Sequence, residues 1–222
     1  LERWRWLAHE LEANMLLVDI AGQRLTYFQQ NQALWQTRVI VGRPSRPTPL
    51  LKSTVNRLTL NPTWTVPPTI YRKDKLPEIR RDIAFLKSHD LQVLDREGKS
   101  LDPEQIDWDN PGSIMLRQSA GPKNPLGELV LRFANPFSVY LHDTPNRELF
   151  AKAPRALSSG CVRVEGVTQV LDLLLDEAHR LSVEAKLASG KTSEYRLPQS
   201  LPILMAYWTA EASANGQALY RP

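Results

Sequence analysis

The chain has 222 residues, 42% of them hydrophobic and 23% charged, with a formal net charge of +4. This length suffices for one full core, or one core with a small subdomain. The only cysteine, Cys161, excludes an internal disulfide. The basic residues are scattered, which argues against a nucleic-acid partner, and no apolar run resembles a membrane span or a signal peptide.

The first third of the chain predicts β-strands. Apolar runs at 15–20 and 24–28 flank Ala21-Gly22-Gln23, a pattern typical of a hairpin. Further strands are predicted at 37–41 and 53–60, separated by a proline-rich loop. Later runs at 113–117, 128–133, 138–142 and 201–207 add strands. We therefore expect a mainly β fold with some helix, built from mostly antiparallel sheet as a β-sandwich or partly closed barrel.

Two helical patterns interrupt the strands. The first, at 76–89, has Leu76, Ile79, Ile83 and Leu86 on one face. Together with the polar stretch behind it, this helix predicts an insertion between strands; an ordinary packing helix is the alternative. The second pattern, at 166–181, has an apolar stripe and follows Cys161 directly. We expect it to be one helix that anchors the turn against the sheet, with His179 near its C-terminal end.

A histidine and the cysteine form the candidate catalytic pair. His142 ends a predicted strand, and Cys161 follows the small-residue turn Ser158-Ser159-Gly160. A thiolate attacks carbonyl carbon well and a thiol does not, so the cysteine needs a nearby base. The alternative is a cysteine that only packs in the core. We expect the pair to meet in a groove open to an extended peptide.

The neighbouring residues suggest supporting roles. Tyr140 lies two residues before His142 and so on the same strand face, whereas Asp143 points the opposite way. We expect the N–H groups of the Gly160–Cys161 turn and the Tyr140 hydroxyl to stabilise an oxyanion. Asp143 is a weaker candidate than a backbone carbonyl for orienting the imidazole.

Arg163 and the two serines are candidate substrate-binding residues. Arg163 can bind a carboxylate with two hydrogen bonds, a structural ion pair being the alternative. Ser158 and Ser159 are expected to shape the turn rather than react. The four histidines have no metal-ligand spacing around Cys161, so we expect no metal and no cofactor.

Several ordered motifs carry a resemblance to a known family. His142-Asp143-Thr144 followed by Ser158-Ser159-Gly160-Cys161-Val162-Arg163 resembles the active-site signature of the L,D-transpeptidases (YkuD domain), closest to their YcbB-like branch. Segments 2–7, 61–67 and 121–127 also resemble that branch. Ser159 and Asp143 depart from the wider family, where many members have histidine and glycine respectively. These departures count against any role that needs a second active-site histidine.

The resemblance implies an enzyme and its substrate. The whole chain, 1–222, would be the catalytic domain, with residues 67–111 as a capping subdomain. The cysteine would attack a peptidoglycan tetrapeptide stem after meso-diaminopimelate, release D-Ala through a thioester and form 3→3 cross-links. Arg163, Ser158 and Ser159 would bind the stem, and carbapenem β-lactams would acylate the cysteine. The protein would act in the periplasm at the cell wall, with its export signal and any membrane attachment N-terminal to Leu1.

Two other functions remain open from the sequence. An L,D-carboxypeptidase would form the same thioester but use water as the acceptor. A non-catalytic wall-binding module would keep Cys161 as a packing residue.

Overall fold

The computed structural model describes residues 9–208 and, for the backbone alone, 210–212 and 218–220. The motif at 2–7 lies outside the described residues. The strands, in chain order, are β1 (Met15–Asp19), β2 (Arg24–Gln29), β3 (Gln32–Gly42), β4 (Leu51–Leu60), β5 (Trp64–Thr65), β6 (Leu91–Leu94), β7 (Met115–Gln118), β8 (Leu129–Phe133), β9 (Leu141–His142), β10 (Ala156–Ser158), β11 (Val162–Val164), β12 (Ser193–Ala206), β13 (Ala210–Ala212) and β14 (Ala218–Tyr220). The helices are α1 (Pro68–Ile70), α2 (Leu76–Arg81), α3 (Ala84–Ser88), α4 (Gln169–Leu174) and α5 (Glu177–Ala188), with a π-helical stretch, Tyr71–Lys75, between α1 and α2.

Nine strands form one large sheet in the order β10-β3-β11-β9-β8-β4-β12-β1-β2. A further pairing of β2 with β3 closes this sheet on itself, because the long β3 pairs with β2 along its first part and with β11 and β10 near its end. The parallel pairs are β1 with β12, β3 with β10, and β9 with β11. The prediction of a mainly β fold is confirmed.

One face of this sheet buries the main hydrophobic core. Alternate residues along the central strands, such as Leu58, Leu131, Leu141 and Val162, are fully buried there. Helices α4 and α5 supply further members of the same cluster, including Val170 and Val183. Because side chains alternate across a strand, the residues between these positions lie on the opposite face. That opposite face carries the candidate site.

The predicted helices are shorter and more broken than expected. The first is interrupted at Asp82, whose backbone is extended and whose carboxylate accepts a hydrogen bond from the Ala84 N–H at 2.9 Å. The second is broken at Leu175, which is buried in an extended conformation, and α5 restarts with Asp176 as its N-cap. His179 therefore lies in the N-terminal turn of α5, and the prediction that it lies near a C-terminal helix end is wrong, because the side-chain cap of Asp176 starts a new helix there.

The stretch between β4 and β8 folds as a unit with its own core. Strands β5, β7 and β6 form a separate three-stranded sheet in that order. Helices α2 and α3 pack on it through a second cluster that includes Ile79, Leu86 and Leu116. Two strands of this small sheet, β5 at its edge and β7 at its centre, lie just outside the 67–111 range expected for the capping subdomain. We call this unit, residues 64–118, the insertion.

Among the described residues, no helix is long and apolar enough to cross a membrane.

Candidate active site

The pairing of two short central strands assembles the site. β9 and β11 run parallel, with Leu141 opposite Val162 and His142 opposite Arg163. The Val162 N–H donates to the Tyr140 carbonyl at 3.0 Å, which places Cys161 beside Tyr140. Leu141 and Val162 point into the core, so Tyr140, His142, Cys161 and Arg163 share the opposite face.

A cavity of about 280 Å³ lies between this face of the sheet and the insertion. The sequence-predicted residues His142, Cys161, Arg163, Ser158 and Ser159 all line it, whereas Tyr140, Asp143 and Gly160 do not. The remaining lining residues are Arg46, Trp64, Pro67, Thr69, Ile70, Pro125, Leu126, Phe137 and Ser138. The fold thus brings the predicted pair to one cavity, partly roofed by the insertion.

His142 is oriented by a backbone carbonyl. Its Nδ1 lies 2.5 Å from the Asp143 carbonyl oxygen, and because a carbonyl can only accept, Nδ1 carries the proton and Nε2 the lone pair. The residue is only 4% exposed, contrary to the expectation of an open groove. Burial, with the nearby Arg163 charge, lowers the pKa of His142 from 6.5 to about 4. The imidazole is therefore a neutral base at neutral pH.

Cys161 is a free, partly exposed thiol. Its Sγ lies 3.8 Å from the Ser138 carbonyl oxygen. Burial raises the pKa of the thiol, while the Tyr140 N–H and the Arg163 and Arg132 charges act in the opposite direction. The shifts in the thiol and imidazole pKa values both favour a neutral pair over a preformed thiolate–imidazolium pair.

The nucleophile turn is held by internal hydrogen bonds. The Ser158 hydroxyl donates to the Cys161 carbonyl and accepts from the Gly160 N–H at 3.1 Å. The Gly160 N–H, expected to bind an oxyanion, is therefore already engaged. The Cys161 N–H has no hydrogen-bond partner within the described part of the chain. Gly160 itself has φ of +116°, a conformation that favours glycine.

The loop between β3 and β4 braces this turn, which the sequence analysis did not predict. The Ser159 hydroxyl accepts from Arg43 and from Arg46, each at 3.0 Å. Arg46 also forms a two-point ion pair with Asp74 of the insertion, at 2.6 and 2.8 Å. Thr48 donates to the Gly160 carbonyl at 2.9 Å. Arg43, Arg46 and Asp74 thus connect the insertion to the nucleophile turn.

Two further residues beside the site also escaped the sequence analysis. The Arg132 guanidinium lies 4.3 Å from the centre of the Tyr140 ring. Gly127 has φ of +62° and packs directly against Asp143, whose carboxylate accepts the Glu128 N–H at 3.1 Å. The Asp143 side chain therefore holds the loop before β8, and only its carbonyl contacts the imidazole.

Comparison with known proteins gives the family. The model of the L,D-transpeptidase catalytic domain, YkuD, matches residues 13–183. The chain belongs to the L,D-transpeptidase family. A Haemophilus influenzae protein provisionally named an L,D-transpeptidase is 37% identical over 202 residues, which are 89% of this chain and 41% of that protein. The chain thus spans about two fifths of that relative's length. Membership of the YcbB-like branch stays a prediction.

Solved L,D-transpeptidases resemble this chain more distantly. A cysteine-to-serine mutant of the Enterococcus faecium enzyme is 12% identical, with a TM-score of 0.46 over 88% of this chain and 50% of that one. L,D-transpeptidase 3 from Mycobacterium tuberculosis is 14% identical, with a TM-score of 0.39 over 87% of this chain and 61% of that one.

The depressed pKa of His142 predicts a loss of stability at acid pH. The imidazole protonates near pH 6.5 when unfolded and near 4 when folded. The unfolded state therefore binds more protons between these values, and stability falls as the pH drops through them. Between pH 7 and pH 4.5, protonation of His142 alone should lower the free energy of unfolding by about 2–3 kcal/mol. Urea unfolding at pH 7 and 4.5 measures it, and His142→Asn, which cannot titrate, should lack this part of the loss. An identical pH dependence in both proteins would contradict the assignment.

The contact between Gly127 and Asp143 predicts that this glycine supports the imidazole. A Cβ on Gly127 would lie 2.5 Å from the Asp143 Cβ, so Gly127→Ala must displace Asp143 and the carbonyl that orients His142. We expect the free energy of unfolding to fall by about 1–3 kcal/mol more than backbone strain alone would cause, and the cysteine to be acylated more slowly. Gly190→Ala is the matched control, since Gly190 has a similar φ of +67° and no atom within 4 Å of its Cβ position. Equal effects of the two substitutions on melting temperature and acylation rate would refute the coupling.

Proposed function

We propose that this domain is a peptidoglycan L,D-transpeptidase that uses Cys161 as its nucleophile and forms 3→3 cross-links. The observation that carries the proposal is the shared strand face on which Cys161 and His142 border one cavity, within a domain of this family. Peptidoglycan is extracytoplasmic, so the protein would act in the periplasm. The activity of the whole protein is part of the proposal, because the chain covers 41% of its curated relative.

The neutral pair suits general-base activation in the first step. As the Cys161 sulfur bonds to the carbonyl carbon of meso-diaminopimelate, its proton passes to Nε2 of His142. Collapse of the tetrahedral intermediate breaks the C–N bond, the imidazolium returns the proton to the leaving D-Ala amine, and a thioester remains. The geometry supports this sequence because Nδ1 is already committed to the Asp143 carbonyl, which leaves Nε2 as the base.

The second step transfers the acyl group. The side-chain amine of another diaminopimelate attacks the thioester, and its proton passes to His142. The C–S bond then breaks, the sulfur recovers the proton, and the new amide is released. Water attacking in place of the amine would give the carboxypeptidase reaction.

The developing oxyanion needs hydrogen-bond donors near Cys161. Because the Gly160 N–H is bonded to Ser158, we assign the main role to the Cys161 N–H, assisted by the Tyr140 hydroxyl. Neither group has a hydrogen-bond partner among the described residues. The Arg163 and Arg132 charges also favour negative charge at this position.

Arg163 is the proposed anchor for a carboxylate of the donor stem. It lines the cavity two residues from the nucleophile and has no hydrogen bond or ion pair among the described residues. A half-buried guanidinium with free donors can bind a carboxylate with two hydrogen bonds. Ser158 and Ser159 act on the substrate indirectly, by holding the turn.

The insertion is proposed to be the cap that keeps water from the thioester. Trp64, Pro67, Thr69 and Ile70 of the insertion form part of the cavity wall. The ion pair between Asp74 and Arg46 ties this wall to the nucleophile turn through Ser159. A partly roofed, partly apolar cavity limits the access of water to the thioester only while the cap stays in place.

The nucleophile assignment predicts a covalent adduct. Incubation with a carbapenem should add the mass of one inhibitor molecule, located at Cys161 by peptide mapping and absent in Cys161→Ala. His142→Asn should form the same adduct about 100- to 1,000-fold more slowly, because it lacks the general base. With a tetrapeptide stem, mass spectra should show D-Ala release and cross-linked dimer.

Three outcomes would count against the enzyme or its assignment. No adduct at any pH favours a wall-binding module. An adduct that persists in Cys161→Ala excludes this nucleophile. Tripeptide without dimer favours the carboxypeptidase.

The ion pair between the cap and the turn predicts a change in product ratio. Asp74→Asn removes the charge that holds Arg46 and should raise hydrolysis relative to transfer by about fivefold, the effect of a partly buried ion pair of about 1 kcal/mol. Asp109→Asn, which removes a 92% exposed carboxylate from the same insertion, serves as the control. Product ratios at fixed acceptor concentration provide the measurement. If both variants keep the parental ratio, the cap does not control water in this way.

A further inference from the structure

Three arginines form a row on the face that carries the nucleophile. Arg132 on β8 pairs in register with Arg57 on β4, and Arg57 pairs with Arg196 on β12. Leu131 pairs with Leu141 on β9, so Arg132 continues the row to Tyr140, whose ring it contacts, and then to Cys161. We call Arg132, Arg57 and Arg196 the arginine row.

The row faces solvent on the nucleophile side of the sheet. The residues that follow Arg57 and precede Arg132, Leu58 and Leu131, are fully buried in the main core. Side chains alternate across a strand, so the arginines lie on the opposite face. Arg57 and Arg196 are exposed, and Arg132 is half-buried next to Tyr140.

The positive charge of the row is mostly unbalanced. Within the described residues its only carboxylate contact is that of Arg57 with Glu194, at 3.4 Å between Nε and Oε2. Arg132 donates from Nε to the Thr59 hydroxyl, and its two terminal nitrogens have no hydrogen-bond or carboxylate partner among the described residues. Like charges directly opposite each other destabilise a sheet. The contacts within the described residues therefore leave most of this positive charge without a negative partner, and binding of an external anion would relieve the repulsion.

None of the three arginines of the row lines the cavity. The cavity wall includes Arg46 and Arg163 but no member of the row. Cys161 lines the cavity and also lies at the end of the row, beside Tyr140. Transfer to an amine requires two substrates at one sulfur. With the donor in the cavity, the row offers the acceptor a cationic surface that reaches Cys161 by way of Tyr140.

We propose that the arginine row binds the carboxylates of the acceptor stem peptide and leads its amine to the thioester from the Tyr140 side. This proposal rests on the proposed function. Adjacent strands lie about 4.8 Å apart, so the row spans about 10 Å from Arg132 to Arg196. An extended peptide covers that distance in about three residues, at about 3.3 Å each. A diaminopimelate stem carries several free carboxylates over such a length.

The test separates the two halves of the reaction. A tetrapeptide donor alone reports thioester formation by D-Ala release, and a tripeptide stem added at increasing concentration reports transfer. Arg57→Gln combined with Arg196→Gln should raise the acceptor KM about tenfold, consistent with two exposed charge contacts, while D-Ala release without acceptor keeps its rate. With an acceptor whose carboxylates are amidated, the acceptor KM should be raised to the same value in the parent protein and in the arginine variant.

A matched control removes two positive charges elsewhere. Lys186→Gln combined with Lys191→Gln changes exposed lysines at the end of α5 and just beyond it, and α5 packs on the opposite face. This control should keep the parental acceptor KM, and the parental KM should rise with salt more steeply than that of the arginine variant. Melting temperatures verify that both variants are folded.

Each result decides between the two proposals. A normal thioester together with an unchanged acceptor KM in the arginine variant overturns the role of the row and leaves the proposed function standing. An equal rise in KM in the lysine control shows a general charge effect and also overturns it. No thioester in the parent protein overturns the proposed function, and the acceptor role falls with it.

Discussion

The parallel pairing of β9 with β11 is the constraint on which the rest of the site depends. It is short, with only two register pairs, yet it places Cys161 beside Tyr140 and Arg163 beside His142. The core-facing residues Leu141 and Val162 are fully buried, so a slip of one residue would turn the site inwards and expose them. The hydrophobic core thus holds the catalytic register, and the site needs little direct stabilisation of its own.

Burial sets the chemistry of the pair. The imidazole is almost completely desolvated, and its one hydrogen-bond acceptor is the carbonyl of the next residue in the chain. Burial and the neighbouring Arg163 charge lower the pKa of His142 by more than the hydrogen bond to the Asp143 carbonyl raises it, so the imidazole stays neutral before attack. A neutral resting pair also keeps the fraction of oxidation-prone thiolate low before the peptide donor binds. The proton then moves only when a carbonyl carbon is in place.

The loop between β3 and β4 connects the cap with the nucleophile. Arg46 contacts both Asp74 of the insertion and Ser159 of the turn. Where many relatives are expected to have a histidine, this chain has Ser159, and its hydroxyl is used as an acceptor for two arginines. In this chain Ser159 therefore has a structural contact with the loop between β3 and β4. The arginine row, which lies outside the cavity, would then serve the second substrate, so that the donor and the acceptor each meet positive charge near the sulfur.

The amino-acid pattern by itself determined the mainly β class, most strand positions, and the two residues expected to react. Alternating apolar runs specify strands locally, and a lone cysteine after a small-residue turn stands out in any sequence. The pattern could not show that the helices break at Asp82 and just before Asp176. The apolar periodicity continues through both positions, and the break becomes favourable only when the tertiary structure buries Leu175 in an extended conformation. Nor could the sequence show that Arg43 and Arg46 bind the Ser159 hydroxyl while Arg46 pairs with Asp74. It also could not show that Arg57, Arg132 and Arg196 lie opposite one another on adjacent strands. Those contacts join residues far apart in the chain, and only strand register and loop packing in the tertiary structure decide which of many charged side chains meet.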